Sequence, residues 1–156
     1  MSETLAPFFE TLRYREGGEI APYKPLVLLI ALSALSRGGT RIGYLEAKPI
    51  FGRILARHGG QWARGRIEEP FARLRNDSDG QIWALWHDPA FDVMAEGGAL
   101  APDAARRAGL EGGIPRPWID RFRAAPDLPA DLARRLAADA FPATGAAVLR
   151  DLGLHS

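Results

Sequence analysis

The chain has 156 residues, 47% of them hydrophobic and 25% charged, which fits one domain with a real core. A formal net charge of +1 excludes a polybasic tail, so any nucleic-acid surface must come from local clustering of charge. The absence of cysteine excludes disulfides, thiolate metal sites and a thiol nucleophile.

The N-terminal Met-Ser-Glu-Thr has neither a charged n-region nor an apolar run, so a cytoplasmic protein is expected. Residues 3–13 predict a first helix, with Leu5, Phe8, Phe9 and Leu12 recurring at helical spacing as its core face. A polar, glycine-containing loop follows, in which Arg13, Tyr14 and Arg15 form a basic lip diluted by Glu16 and Glu19.

Residues 21–39 hold the stretch around which the rest is organised. Pro25 suits the first turn of a helix, where its missing N–H is not needed, and Gly38-Gly39 end the helix. Between them residues 26–32 are apolar on every side, the pattern of a fully buried helix, and one too short to span a membrane. Tyr23 and Lys24 stand at its entrance, where free N–H groups and a partial positive charge favour an anion. The bland alternative is a solvated lysine beside an ordinary helix start.

Residues 40–44 predict a short strand. A second helix is expected over 45–57, with Pro49 in its opening turn, Ile50, Phe51, Ile54 and Leu55 as an apolar stripe, and Gly59-Gly60 as its stop. Trp62, Arg64 and Arg66 fall in a loop. In residues 69–86, Phe71, Leu74 and the alternation from Ile82 to Trp86 predict two short paired segments, with residues 76–80 as their turn. Residues 89–117 read as mostly irregular, with Arg106 and Arg107 in a basic, glycine-rich surface loop lacking the Gly-Lys-Ser/Thr of a phosphate loop. The C-terminal part is helical again, with Leu132, Leu136, Phe141, Val148, Leu149 and Leu152 as core candidates. The expected fold is α+β and mainly helical: a single domain over 1–156, in which a buried central helix and a small β-hairpin make a winged-helix-like arrangement.

No catalytic constellation is present. His58, His87 and His155 are scattered, without metal-ligand spacing. Asp77 and Asp79 lie in turn-forming sequence, and adjacent Glu68 and Glu69 point in opposite directions in an extended chain. Neither a cofactor, a metal nor an enzymatic activity is expected.

Four segments in order carry a resemblance: residues 21–29 (Ala-Pro-Tyr-Lys-Pro-Leu-Val-Leu-Leu), residues 70–77 (Pro-Phe-Ala-Arg-Leu-Arg-Asn-Asp) with Trp83, Phe141-Pro142, and residues 149–154 (Leu-Arg-Asp-Leu-Gly-Leu). Together they resemble the sulfur-binding domain that recognises phosphorothioate-modified DNA, usually joined in bacterial type IV restriction endonucleases to an HNH nuclease domain. The resemblance implies a DNA-binding module without catalysis of its own. It implies double-stranded, preferably modified, DNA as the partner, and a shallow apolar cavity for the sulfur. The positions matching that cavity are Tyr23, Lys24, Glu69, Pro70 and Arg73. Glu69 stands where an aromatic residue is expected and Arg73 where a small one is. Expected DNA contacts are Arg13, Arg15, Lys24, Arg73, Asn76, Arg106 and Arg107. Two other readings are an ordinary winged-helix DNA-binding protein indifferent to sulfur and a protein-interaction adaptor whose arginines only solvate it.

Overall fold

A computed structural model describes residues 5–10, 15–16, 19–94 and 100–154. At its centre lies helix α2 (Tyr23–Ser36), in which residues 25–33 are all buried. Its apolar run has no polar face to turn outward, so other elements must enclose it; α3 (Tyr44–His58), α4 (Glu68–Asp77) and α7 (Asp127–Ala140) pack against it. Pro25 is its third residue, and the first intrahelical bond runs from the Leu26 N–H to the Pro22 carbonyl at 2.9 Å. Gly38 ends it with φ at +92°, a left-handed conformation that glycine adopts without a Cβ penalty. Its one buried hydroxyl, on Ser33, donates to the Leu152 carbonyl at 2.5 Å and so ties the central helix to the last turns of the described chain.

The remaining elements are helix α1 (Ala6–Glu10), the short antiparallel pair β1 (Arg15–Glu16) and β2 (Glu19–Ile20), strand β3 (Ile42–Gly43), a 3₁₀ turn (Gly60–Trp62), strand β4 (Ala84–Trp86), helix α5 (Pro102–Arg107), strand β5 (Glu111–Gly113), and helices α6 (Arg116–Ala124) and α8 (Gly145–Asp151). Strands β3, β5 and β4 form an antiparallel sheet in that order, with Gly112 opposite both Ile42 and Leu85. The fold is mainly helical with a small β component around a buried central helix, as the sequence implies. Among the described residues no helix is long and apolar enough to cross a membrane.

Four local readings are corrected. Residues 69–86 are not a hairpin. Phe71 and Leu74 are three residues apart, which puts them on one face of a helix but on opposite faces of a strand, and residues 68–77 form α4. The alternation at 82–86 does mark a strand, but its partner is β5, from a region read as irregular. The two glycines of strand β5 lie where no Cβ fits: one on Gly112 would lie 2.5 Å from Trp83 Cζ2 and 2.8 Å from Phe71 Cζ, and one on Gly113 would lie 2.6 Å from the Thr40 carbonyl oxygen. Residues 102–107 form a helix, started by Pro102 and an acidic first turn at Asp103, so Arg106 and Arg107 end a helix rather than sit in a loop. Helix α3 starts at Tyr44, which leaves Pro49 inside the helix beyond its opening turn. The 3–13 helix is described only over its α1 portion, and Leu12 lies outside the described residues. Of the C-terminal candidates, Leu132, Leu136, Phe141, Val148 and Leu152 are buried and Leu149 packs partly against the core.

Candidate nucleic-acid interface

Tyr23 and Lys24 are the first two residues of α2 rather than a lead-in to it, and they are held from different sides. The Tyr23 ring meets Trp62 edge-on at 5.6 Å between centroids and lies 6.4 Å from Phe51. The backbone at Gly65 presses against it so closely that a Cβ there would fall 2.1 Å from Tyr23 Cε1. Glycine at 65 is therefore a requirement of the ring's position. Lys24 reaches the end of α4, where its Nζ forms an ion pair with Asp77 Oδ2; the two side chains are 15% and 23% exposed.

Helix α4 supplies the other expected residues. Glu69, Arg73 and Asn76 follow one another at four- and three-residue spacing, all exposed, on one stripe of the helix. Glu69 and Arg73 pair with each other at 3.3 Å. Pro70 is buried. The structure thus brings Lys24 to Asp77 at the end of α4 and couples Glu69 to Arg73.

Arg106 and Arg107 stand elsewhere, on α5, which packs against α3. Both hold Asp103, at 2.6 and 3.2 Å. The hydrogen bond from Arg106 and the charge of Arg107 keep the Asp103 carboxyl below its usual range. Arg15 belongs to β1 and Arg13 lies outside the described residues.

Sequence reasoning missed a buried polar cluster at the start of α4. On the helix, Glu68 and Glu69 part company: Glu69 is exposed, whereas the Glu68 side chain is 6% exposed. Glu68 accepts from the Tyr44 hydroxyl at 2.6 Å and pairs with Lys48 at 3.1 Å and Arg66 at 3.2 Å. Burial opposes its ionisation, but the hydrogen bonds from Tyr44 and Lys48, helped by the Lys48 and Arg66 charges, outweigh burial and hold its carboxyl below the usual range. Burial, with the Glu68 carboxylate beside it, pushes the Tyr44 hydroxyl up. The signals were Tyr44 and Lys48 one helical turn apart and Arg66 two residues before Glu68. With every partner satisfied, this cluster braces α3 against α4. Near the other end of α3, His58 meets Asp151 at 2.8 Å and Arg57 meets it at 3.2 Å, a second tie that fixes α8. Among the described residues no group of acidic or histidine side chains is placed to hold a metal ion.

A surface so arranged offers an aromatic ring, a cation already carrying a carboxylate, and a polar helical stripe. The family model of the ScoMcrA-like DNA sulfur-binding domain matches residues 2–156. A search of curated proteins found no match. Among solved structures, the fold is similar to the sulfur-binding domain of ScoMcrA complexed with phosphorothioated DNA (TM-score 0.76, 20% identity, covering 96% of this chain and 94% of that one). It is also similar to the sulfur-binding domain of SprMcrA complexed with phosphorothioated DNA (TM-score 0.70, 19% identity, 98% and 93%). The type IV phosphorothioation-dependent restriction endonuclease ScoMcrA matches at TM-score 0.71 and 19% identity, over 86% of this chain but only 25% of that chain. With the family model spanning nearly its whole length, this chain belongs to the ScoMcrA-like DNA sulfur-binding domain family.

Proposed function

We propose that this domain binds double-stranded DNA carrying a phosphorothioate, through the first turn of α2 and the outer stripe of α4, and that it has no catalysis of its own. One observation carries the reading. In a chain of the DNA sulfur-binding family, an apolar ring (Tyr23) and an ammonium (Lys24) are successive residues at the start of one helix. A phosphorothioate keeps the charge of a phosphate but exchanges one oxygen for a larger, more polarisable and less hydrated sulfur. A selective site must therefore offer apolar contact beside a cation. Tyr23 is assigned to the sulfur and Lys24 to the charge; Pro70, buried in the first turn of α4, is assigned to shaping the cavity wall from behind.

The Glu69–Arg73 pair replaces the aromatic and small residues expected of the cavity wall. In this reading it makes the wall more polar, and Arg73 leans on Glu69 until a DNA phosphate competes for it. Arg13, Arg15, Asn76, Arg106 and Arg107 are assigned to DNA backbone contacts outside the cavity. In the cell the domain directs restriction to modified DNA in the cytoplasm, with cleavage supplied by a separate nuclease domain of the HNH type.

The test compares duplexes of one sequence with and without a single phosphorothioate. The modified duplex is expected to bind tighter, and both affinities should fall steeply with salt. Equal affinity for the two would leave an ordinary DNA-binding domain. Insensitivity to salt would leave a protein adaptor. Incubation with modified plasmid and magnesium or manganese is expected to leave the plasmid intact.

A further inference from the structure

The cation assigned to the phosphorothioate already has a partner within the chain. Lys24 Nζ is paired with Asp77 Oδ2, on a residue that closes α4 and is separated from it by 53 positions in the chain. We infer that Asp77 is an affinity-setting residue: an internal competitor that occupies Lys24 until a DNA phosphate group displaces it. The inference rests on the binding surface proposed above.

The argument is one of exchange. Phosphate and phosphorothioate both carry a negative charge, so a bare Lys24 would attract any DNA backbone. With the Asp77 carboxylate in place, the incoming group replaces an existing ion pair, and much of the electrostatic gain is cancelled. That cancellation falls alike on both kinds of DNA. The apolar contact with Tyr23 is left to sulfur. Unmodified DNA then drops below useful occupancy while modified DNA stays above it, so Asp77 sets the threshold rather than the ratio of affinities. The geometry allows the exchange. Asp77 is at the very end of α4, and its side chain is 23% exposed, so water can take over its carboxylate once Lys24 leaves. Glu68, at the other end of the helix, is enclosed by Tyr44, Lys48 and Arg66 and has no such freedom.

Asp77→Asn removes the competitor while keeping size and hydrogen-bonding capacity. It should tighten binding of modified and unmodified duplexes alike, by roughly two- to fivefold, the range for one partly exposed ion pair. The salt slope should steepen by up to about one unit, because Lys24 then releases a counterion outright. The control is Asp77→Asn in a Lys24→Met background, where the gain should disappear because it acts through Lys24. Thermal melting establishes that each variant is folded. Weaker or unchanged binding by folded Asp77→Asn, or a gain that survives without Lys24, overturns the inference. These outcomes are separate from the parent reading, which fails when the unaltered domain does not prefer the modified duplex.

Discussion

Helix α4 holds a carboxylate at each end, and the two are treated in opposite ways. Glu68 is sunk between α3 and α4, with Tyr44, Lys48 and Arg66 within 3.2 Å. Asp77 is more open and reaches across to Lys24 of α2. A buried carboxylate with several donors cannot change partners without leaving polar groups stranded, whereas a half-open ion pair can exchange with solvent or ligand. One helix thus carries a brace at its start and a replaceable contact at its finish. Sequence alone gives both residues the same chemistry.

The comparison breaks most visibly at the brace. Glu68→Ala removes the shared acceptor, and we expect a loss of about 2–3 kcal/mol in urea unfolding, the scale of hydrogen bonds to a buried charge. DNA affinity measured under folding conditions should hardly move. A large affinity loss with little destabilisation would reverse the roles assigned to the two ends.

The next effect lies at the ring. Tyr23→Ala and Pro70→Ser should each shrink the affinity ratio of modified to unmodified duplex, by about tenfold, since sulfur gains from apolar contact and oxygen does not. Gly65→Ala should act in the same direction, because the new methyl would displace the Tyr23 ring. If all three folded variants keep the ratio, the sulfur sits elsewhere.

A pH series sharpens the brace further. The Glu68 carboxyl titrates below its usual range in the folded state. Its contribution is therefore present above the unfolded carboxylate value of about 4.3 and is lost as pH falls through the folded value. The melting temperatures of the unaltered domain and Glu68→Gln should differ by a constant amount from pH 8 to about 5 and converge at lower pH. Divergence on acidification would contradict the sign.

The smallest effect belongs to α5. Replacing Arg106 and Arg107 together by alanine should weaken both duplexes equally and flatten the salt slope by about one unit per lost contact. An unchanged slope would mean that Asp103 is the only anion they serve.

The central helix was legible because an apolar run without a polar face has only one place to go. Helix α4 was not: the spacing of Phe71 and Leu74 is helical, but two residues are a short signal, and Asn76-Asp77 before the alternation at 82–86 reads as a hairpin turn. Strand β5 carried no periodicity at all: Gly112 is explained by Trp83 and Phe71 beneath it and Gly113 by the Thr40 carbonyl beside it, contacts that exist only in three dimensions. The site divides along the same line. Tyr23 and Lys24 were marked by resemblance and by their position at a helix start, and Pro70 by resemblance alone. The partner that neutralises Lys24, and the burial that separates Glu68 from Glu69, depend on how α2, α3 and α4 meet.

The burial of α2 also has a consequence for synthesis. The ribosome delivers this helix well before α7, which covers one of its sides and emerges about a hundred residues later. At translation rates of about 5–20 residues per second, a wholly apolar segment waits roughly 5–20 s for its cover. During that interval α3 and α4 shield only part of it, and the Ser33 hydroxyl still lacks the Leu152 carbonyl. A nascent chain arrested between α4 and α7 should therefore be held by chaperones and cut readily by proteases, and it should be released from both once α7 and α8 have been made.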